Sequence, residues 1–116
     1  MAGIADAWIK LQSQAVGSTE ADALMWASIE MDLLCIDKPK ECWGVVLNIL
    51  SRTNDEWVLT NLAAGPVESL LANHGEMTIC WIEDEAKKNQ RFRMMLGDVW
   101  RNLISDEVWQ RIQRVK

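Results

Sequence analysis

"NLAAGPVESLLANHG", residues 61–75, places Gly65-Pro66 inside an otherwise continuous helical leucine pattern and closes on His74-Gly75. Its reading decides the fold, because the stretch is either a site or a corner between two helices. The residue types favour a corner. Gly65 can take the conformation that ends one helix, Pro66 opens the next where no N–H is needed, and Glu68 falls where the new helix dipole favours an acid. Val67, Leu70 and Leu71 then give a short apolar face, and Gly75 reads as a left-handed terminator.

Upstream, Thr53 and Glu56 stand at capping-box spacing, which predicts a helix burying Val58, Leu59 and Leu62. Before it, Pro39 opens a helix through Trp43, Val46, Leu47 and Leu50; Val45-Val46 would suit a strand, but the helical stripe favours helix. Ser18 or Thr19 caps "STEADALMWASIEMDLLCI", residues 18–36. One stripe there runs through Leu24, Ala27, Ser28, Met31 and Cys35. A second, through Met25, Ile29, Leu33 and Ile36, lies beside it, so this helix is expected at the centre of the core. Ile4, Trp8, Leu11 and Ala15 form a first helix stopped by Gly17.

Downstream, "EMTICWIEDEAKKN" carries Ile79, Ile82 and Ala86 on one side and the pairs Glu83/Lys87 and Asp84/Lys88 on the other. A helix from Phe92 through Met95, Leu96, Val99 and Trp100 to Leu103 is expected next. The last, capped by Ser105, buries Val108, Trp109, Ile112 and Val115. The expectation is all-α, with about eight short helices packed as irregular helical hairpins in a single domain, residues 1–116. The connections are too short for a second domain, and no hairpin turn of the Asn-Gly type occurs.

Composition narrows the function classes. The apolar fraction is 49% and the charged fraction 25%, as in an ordinary globular protein. Seven of the eight aromatic residues are Trp, spread along the chain, which reads as anchors for successive helices. Neither a membrane-spanning run nor a signal peptide is legible, so a cytoplasmic protein is expected. Cys35, Cys42 and Cys80 are odd in number and lack a C-x-x-C pair, which suits free, mostly buried thiols in a reducing compartment. Residues 1–90 hold 6 Lys/Arg against 14 Asp/Glu, and residues 91–116 hold 6 against 3. The acidic body disfavours nucleic acid and favours a basic partner.

Chemistry-bearing motifs are few. Cys35, Cys42, His74 and Cys80 supply a Cys3His zinc set by count, but the intervals C-x6-C and H-x5-C are wrong for the common sites, so no metal is expected. A Cys80–His74 nucleophile pair rests on the single His, which before Gly75 reads better as a helix-end carbonyl donor. There is no Gly-rich phosphate loop, G-x-S-x-G or H-E-x-x-H, and neither catalytic residues nor a cofactor are expected. The basic final helix, with Trp109, Arg111, Arg114 and Lys116, reads as a solvated face whose charge suits its dipole.

Leu62, Gly65, Pro66, Glu68, Leu70, Leu71, His74 and Gly75, followed by Phe92, Leu96, Val99 and Trp100, resemble the shared core of a family of small, uncharacterised bacterial domains. The likeness covers residues 55–104. It implies a bacterial source and a helical domain, and no reaction.

Two functions from different classes follow as expectations. One is an acidic protein-binding domain, such as an immunity protein or inhibitor that neutralises a basic toxin or effector. Its contacts would be Glu76, Glu83, Asp84 and Glu85, or else Glu30, Asp32 and Asp37. The other is a ligand-binding or enzymatic domain with a pocket at Glu68 and His74. For both residues the plainer role is to finish the ends of a short helix. Exposed Trp side chains would also suit a homodimer.

Overall fold

The computed structural model describes residues 3–116, and these form helices and turns without a strand. In order they are α1 (Gly3–Gln12), α2 (Thr19–Asp37), α3 (Pro39–Arg52), α4 (Glu56–Leu62), α5 (Glu68–Lys88), α6 (Gln90–Met95) and α7 (Asp106–Val115). A π-helical turn, Ala63–Val67, joins α4 to α5, and a 3-10 turn, Leu96–Asp98, follows α6. The all-α expectation holds. Seven helices stand where about eight were read, because the fifth and sixth are one.

Local chemistry explains most boundaries. Ser18, Asp55, Asn89 and Ser105 each accept a backbone N–H three residues on, satisfying donors that the first turn leaves unpaired. Thr53 does not cap α4 as its spacing suggested. Its hydroxyl accepts from the Asp55 N–H and so presents Asp55, the actual cap. Pro39 opens α3 as expected. Gly17 takes φ +80° in the turn that follows α1, which ends at Gln12, short of Ala15.

The Gly65-Pro66 stretch is not a corner. The helix runs through it as a π turn, with Pro66 buried inside. In a regular α-helix the proline ring would strike the carbonyl four residues back, and the wider turn relieves that contact. The bend comes later, at His74, whose φ −138° and ψ 43° leave the helical region within α5. Gly75 does not take a left-handed conformation: among the described glycines only Gly17 has positive φ. Gly75 instead lets α7 approach, since a Cβ there would lie 3.1 Å from Val108 Cγ2. Thr78, fully buried, donates its hydroxyl to the His74 carbonyl at 2.8 Å and lies 3.3 Å from that of Leu70, answering carbonyls at the bend.

Packing assembles one core. α1 lies across α2 and α3, α2 also contacts α5, and α5 carries α6 and α7. Met31, Ile49, Leu62, Leu70, Leu71, Ile79, Ile82, Phe92, Leu96 and Ile112 are fully buried. Trp43 packs edge-on against Phe92, with centroids 5.8 Å apart, and tilts against Trp81 at 6.4 Å. Trp8 is buried as an anchor, but Trp26, Trp57 and Trp100 are exposed, so the anchor reading holds for only part of the set. The chain after Asp98 leaves the helical path: Val99 and Ile104 are buried, whereas Trp100 and Leu103 face outward in the loop before α7. Among the described residues no helix is long and apolar enough to cross a membrane.

Candidate functional site

The cysteine expectation changes first. Cys35 at the end of α2 and Cys42 at the start of α3 are joined by a disulfide, with Cα atoms 5.2 Å apart, and both are fully buried. Cys80, expected in the core, is exposed, and the Arg111 guanidinium stands 3.8 Å from its sulfur. Among the described residues no three His, Cys, Asp or Glu side chains come together to hold a metal ion.

Glu68 and His74 are each engaged in holding the fold. Both oxygens of Glu68 reach the loop before α7. Oε1 accepts the Trp100 N–H at 2.9 Å and Oε2 accepts the Asn102 side-chain amide at 2.6 Å. Asn102 stands at φ +40°, so Glu68 braces a turn with left-handed backbone. His74 Nε2 lies 2.6 Å from the Ile36 carbonyl and finishes the end of α2, not the end of its own helix. A carbonyl donor was the plainer reading; the helix it serves was not legible. Neither residue lines the clefts described next.

A cleft of about 560 Å³ lies between α4 and α6, lined by Leu59, Met94 and Met95 with Glu56, Arg91 and Asp98 at its edges. Arg91 donates to the Leu50 carbonyl at 2.9 Å, while its Nε is buried without a partner. A second, of about 390 Å³, runs between Trp43 and Trp81 beside Lys40, Asp84 and Lys88. A third, of about 290 Å³, brings Asp32 beside Trp8, Gln12 and the π turn. Partial burial there pushes the Asp32 carboxyl above its ordinary range.

The two acidic groups named from sequence differ in what surrounds them. In the α5 group, Glu83 receives Arg111 in a bidentate pair, with Nε 2.9 Å from Oε2. This hydrogen bonding, helped by the charges of Arg111, Lys87 and Arg114 and opposed by burial, holds Glu83 below the usual carboxylate range; Arg111 is raised in return. Glu85 accepts from Asn89 at 3.1 Å and lies 3.8 Å from Lys88. Glu76 and Asp84 are exposed on the same helix. This group is largely answered by the protein's own cations.

In the α2 group, no ion pair among the described residues reaches Glu30, Asp32 or Asp37. α2 contains five carboxylates and no Lys or Arg. Between these acids lies the second apolar stripe, which the sequence placed in the core and the structure places in solvent. Met25 is 44% exposed, Trp26 49%, Ile29 56%, Leu33 50% and Ile36 51%. The reason is geometric. α1, α3 and α5 cover Ala21, Ala27, Met31 and Cys35, and nothing packs on the opposite face. The exposed residues fall in a heptad pattern, Trp26 and Leu33 at a, Ile29 and Ile36 at d, with Glu30 and Asp37 at e and Asp32 at g. Together the five apolar side chains leave on the order of 500 Å² uncovered, near the upper end of the patches that single proteins expose.

A small all-α domain whose most distinctive surface is an apolar seam edged by unpaired carboxylates is the class that fold and surface define. Within that class, the chain belongs to the family of unknown function DUF6869, which matches residues 14–116. The match extends beyond the 55–104 stretch that carried the resemblance and takes in α2 and α3. No curated protein and no solved structure matches the chain.

Proposed function

We propose that the protein is an acidic binding domain that acts by occupying a partner protein, in the manner of an immunity protein or inhibitor that neutralises a basic toxin or effector. The observation that carries this reading is the α2 seam: five large apolar side chains, each roughly half exposed, bordered by Glu30, Asp32 and Asp37 with no cation beside them. An apolar centre with a charged rim is the anatomy of a protein interface, the centre supplying affinity and the rim setting partner choice and encounter rate. Of the two acidic groups, the α2 group is the better candidate, since Glu83 and Glu85 already have partners within the fold. No arrangement of nucleophile, base and oxyanion donors accompanies the clefts, and the reading needs none.

The test is purification of the tagged protein from its native cell, as wild type and as the Ile29→Asp/Leu33→Asp double variant. A stoichiometric protein partner retained by wild type and lost by the variant is the expected result. A wild-type protein that purifies without a stoichiometric partner, or a complex untouched by the two substitutions, refutes the proposal.

A further inference from the structure

Resting on that reading, we infer that the ligand of the α2 seam is a single amphipathic helix with an apolar stripe at heptad spacing and basic residues along its edges. The seam is a ridge on one helix, with a and d positions apolar over Trp26–Ile36. Eleven residues at about 1.5 Å each make a contact roughly 16 Å long, which a three-turn helix matches. Helix pairs of this kind bring their axes to roughly 8–10 Å, at which e and g side chains of one lie beside those of the other.

Charge selects among the occupants. A second copy would lay α2 on α2, and both orientations fail on the same ground. Parallel pairing sets Asp32 at g against Asp37 at e of the other copy; antiparallel pairing sets Glu30 and Asp37 against the same e-position acids. α2 supplies no Lys or Arg to answer them. An acidic or neutral helix leaves the carboxylates unpaired. A helix with Lys or Arg at its own e and g positions answers Glu30 and Asp37 on one side and Asp32 on the other. The negative end of the α2 dipole adds to this, because the last turn of α2 holds Asp37 and no basic residue.

The experiment uses two synthetic peptides of equal length with Leu at every a and d position and Ala outside the contact. One carries Lys and Arg at e and g, and its twin carries Glu. Fluorescence anisotropy of the labelled peptides is measured against the full-length protein at low and high salt. The basic peptide is expected to bind at least tenfold tighter than the acidic twin at low salt, with the margin shrinking as salt screens the edges. Leu33→Asp is expected to weaken it at least tenfold, and Glu30→Lys/Asp37→Lys to invert the preference. These side chains are exposed, and unchanged circular dichroism and melting temperature confirm that the variants are folded.

Equal affinity for the two peptides, binding indifferent to Leu33→Asp, or preference unaltered by the charge reversal overturns the inference. So does a wild-type dimer in sedimentation that Leu33→Asp renders monomeric, which would assign the seam to a second copy. The two proposals fail separately. A native complex lost in the α2 variant while the peptides show no charge preference leaves the binding function and removes the helix. The peptide pattern without any native complex leaves the helix and removes the function.

Discussion

Gly75→Ala is a small change with opposing consequences, and the structure decides which prevails. A Cβ at this position would lie 3.1 Å from Val108 Cγ2, 3.5 Å from Cγ1 and 3.6 Å from Cβ, against an ordinary carbon contact of about 3.5–4.0 Å. Val108 is buried and β-branched, so rotating away costs about 0.5–1.5 kcal/mol, and moving α7 as a whole costs about 1–3 kcal/mol in overpacking. Against this, alanine is favoured over glycine by about 1 kcal/mol inside a helix, and by less here, where Gly75 opens the second limb of α5. The expected balance is a loss of about 1 kcal/mol, lowering the melting temperature by about 4 °C. In a Val108→Ala background the obstructing methyl groups are gone, and the same Gly75→Ala change should stabilise by a few tenths to about 1 kcal/mol. Urea unfolding of the four proteins in the cycle, followed by far-UV circular dichroism, measures the sign in each background. Stabilisation by Gly75→Ala in the otherwise native protein would refute the close-approach argument. Equal destabilisation in both backgrounds would refute it too, because that is the signature of a backbone that needs glycine.

Other consequences are simpler to check. Thr78→Val, which keeps the shape but removes the donor to the carbonyls at the bend, should cost about 1–3 kcal/mol in urea unfolding; a neutral result would mean that water serves those carbonyls equally well. Glu68→Ala should speed hydrogen exchange at the Trp100 amide while leaving that of the α2 amides unchanged, and a uniform change across the protein would deny Glu68 its bracing role. Because Glu83 is held below its ordinary range, its pairing with Arg111 stabilises the fold fully above about pH 4.3 and is lost as pH falls through the lowered value. The stability difference between wild type and Glu83→Gln should therefore shrink on acidification, and a difference constant with pH would count against the pairing. Ile29→Asp/Leu33→Asp should stay within about 0.5 kcal/mol of wild-type stability, since both side chains sit in solvent; a large loss would mean that the seam is covered within the protein itself.

What was legible in the sequence was what local chemistry decides. Ser18, Pro39 and Ser105 mark helix starts because a cap or a fixed φ acts within three residues, and those starts stand as read. Gly65-Pro66 was misread because the same two residues either end a helix or widen it, and only the burial of Leu62, Pro66 and Val67 selects the second. Gly75 was misread for a similar reason: its neighbour Val108 comes from α7, and no local pattern announces a close approach from so far along the chain. Glu68 was placed rightly near a helix start, but its partners Trp100 and Asn102 belong to a loop expected to be helical. The α2 seam is the most instructive case. Periodicity identified both apolar stripes, but it carries no information about which has something packed upon it. The carboxylates Glu30, Asp32 and Asp37 beside the second stripe were the available hint, because unpaired acids border a surface in contact with water more readily than one in the core.

The π turn at Ala63–Val67 has a consequence for how this chain can vary. One residue of an α-helix corresponds to about 100° of rotation, so deleting any residue of the turn would swing everything after it by that angle about the helix axis. Leu70 and Leu71, Ile79 and Ile82 would leave the core together, and polar neighbours would take their places. Substitutions at the solvent-facing Ala64 and Gly65 disturb little, since a side chain added at Gly65 meets open space. The length of this segment is thus under far tighter constraint than its composition: it can be rewritten, but not shortened or lengthened by a single residue.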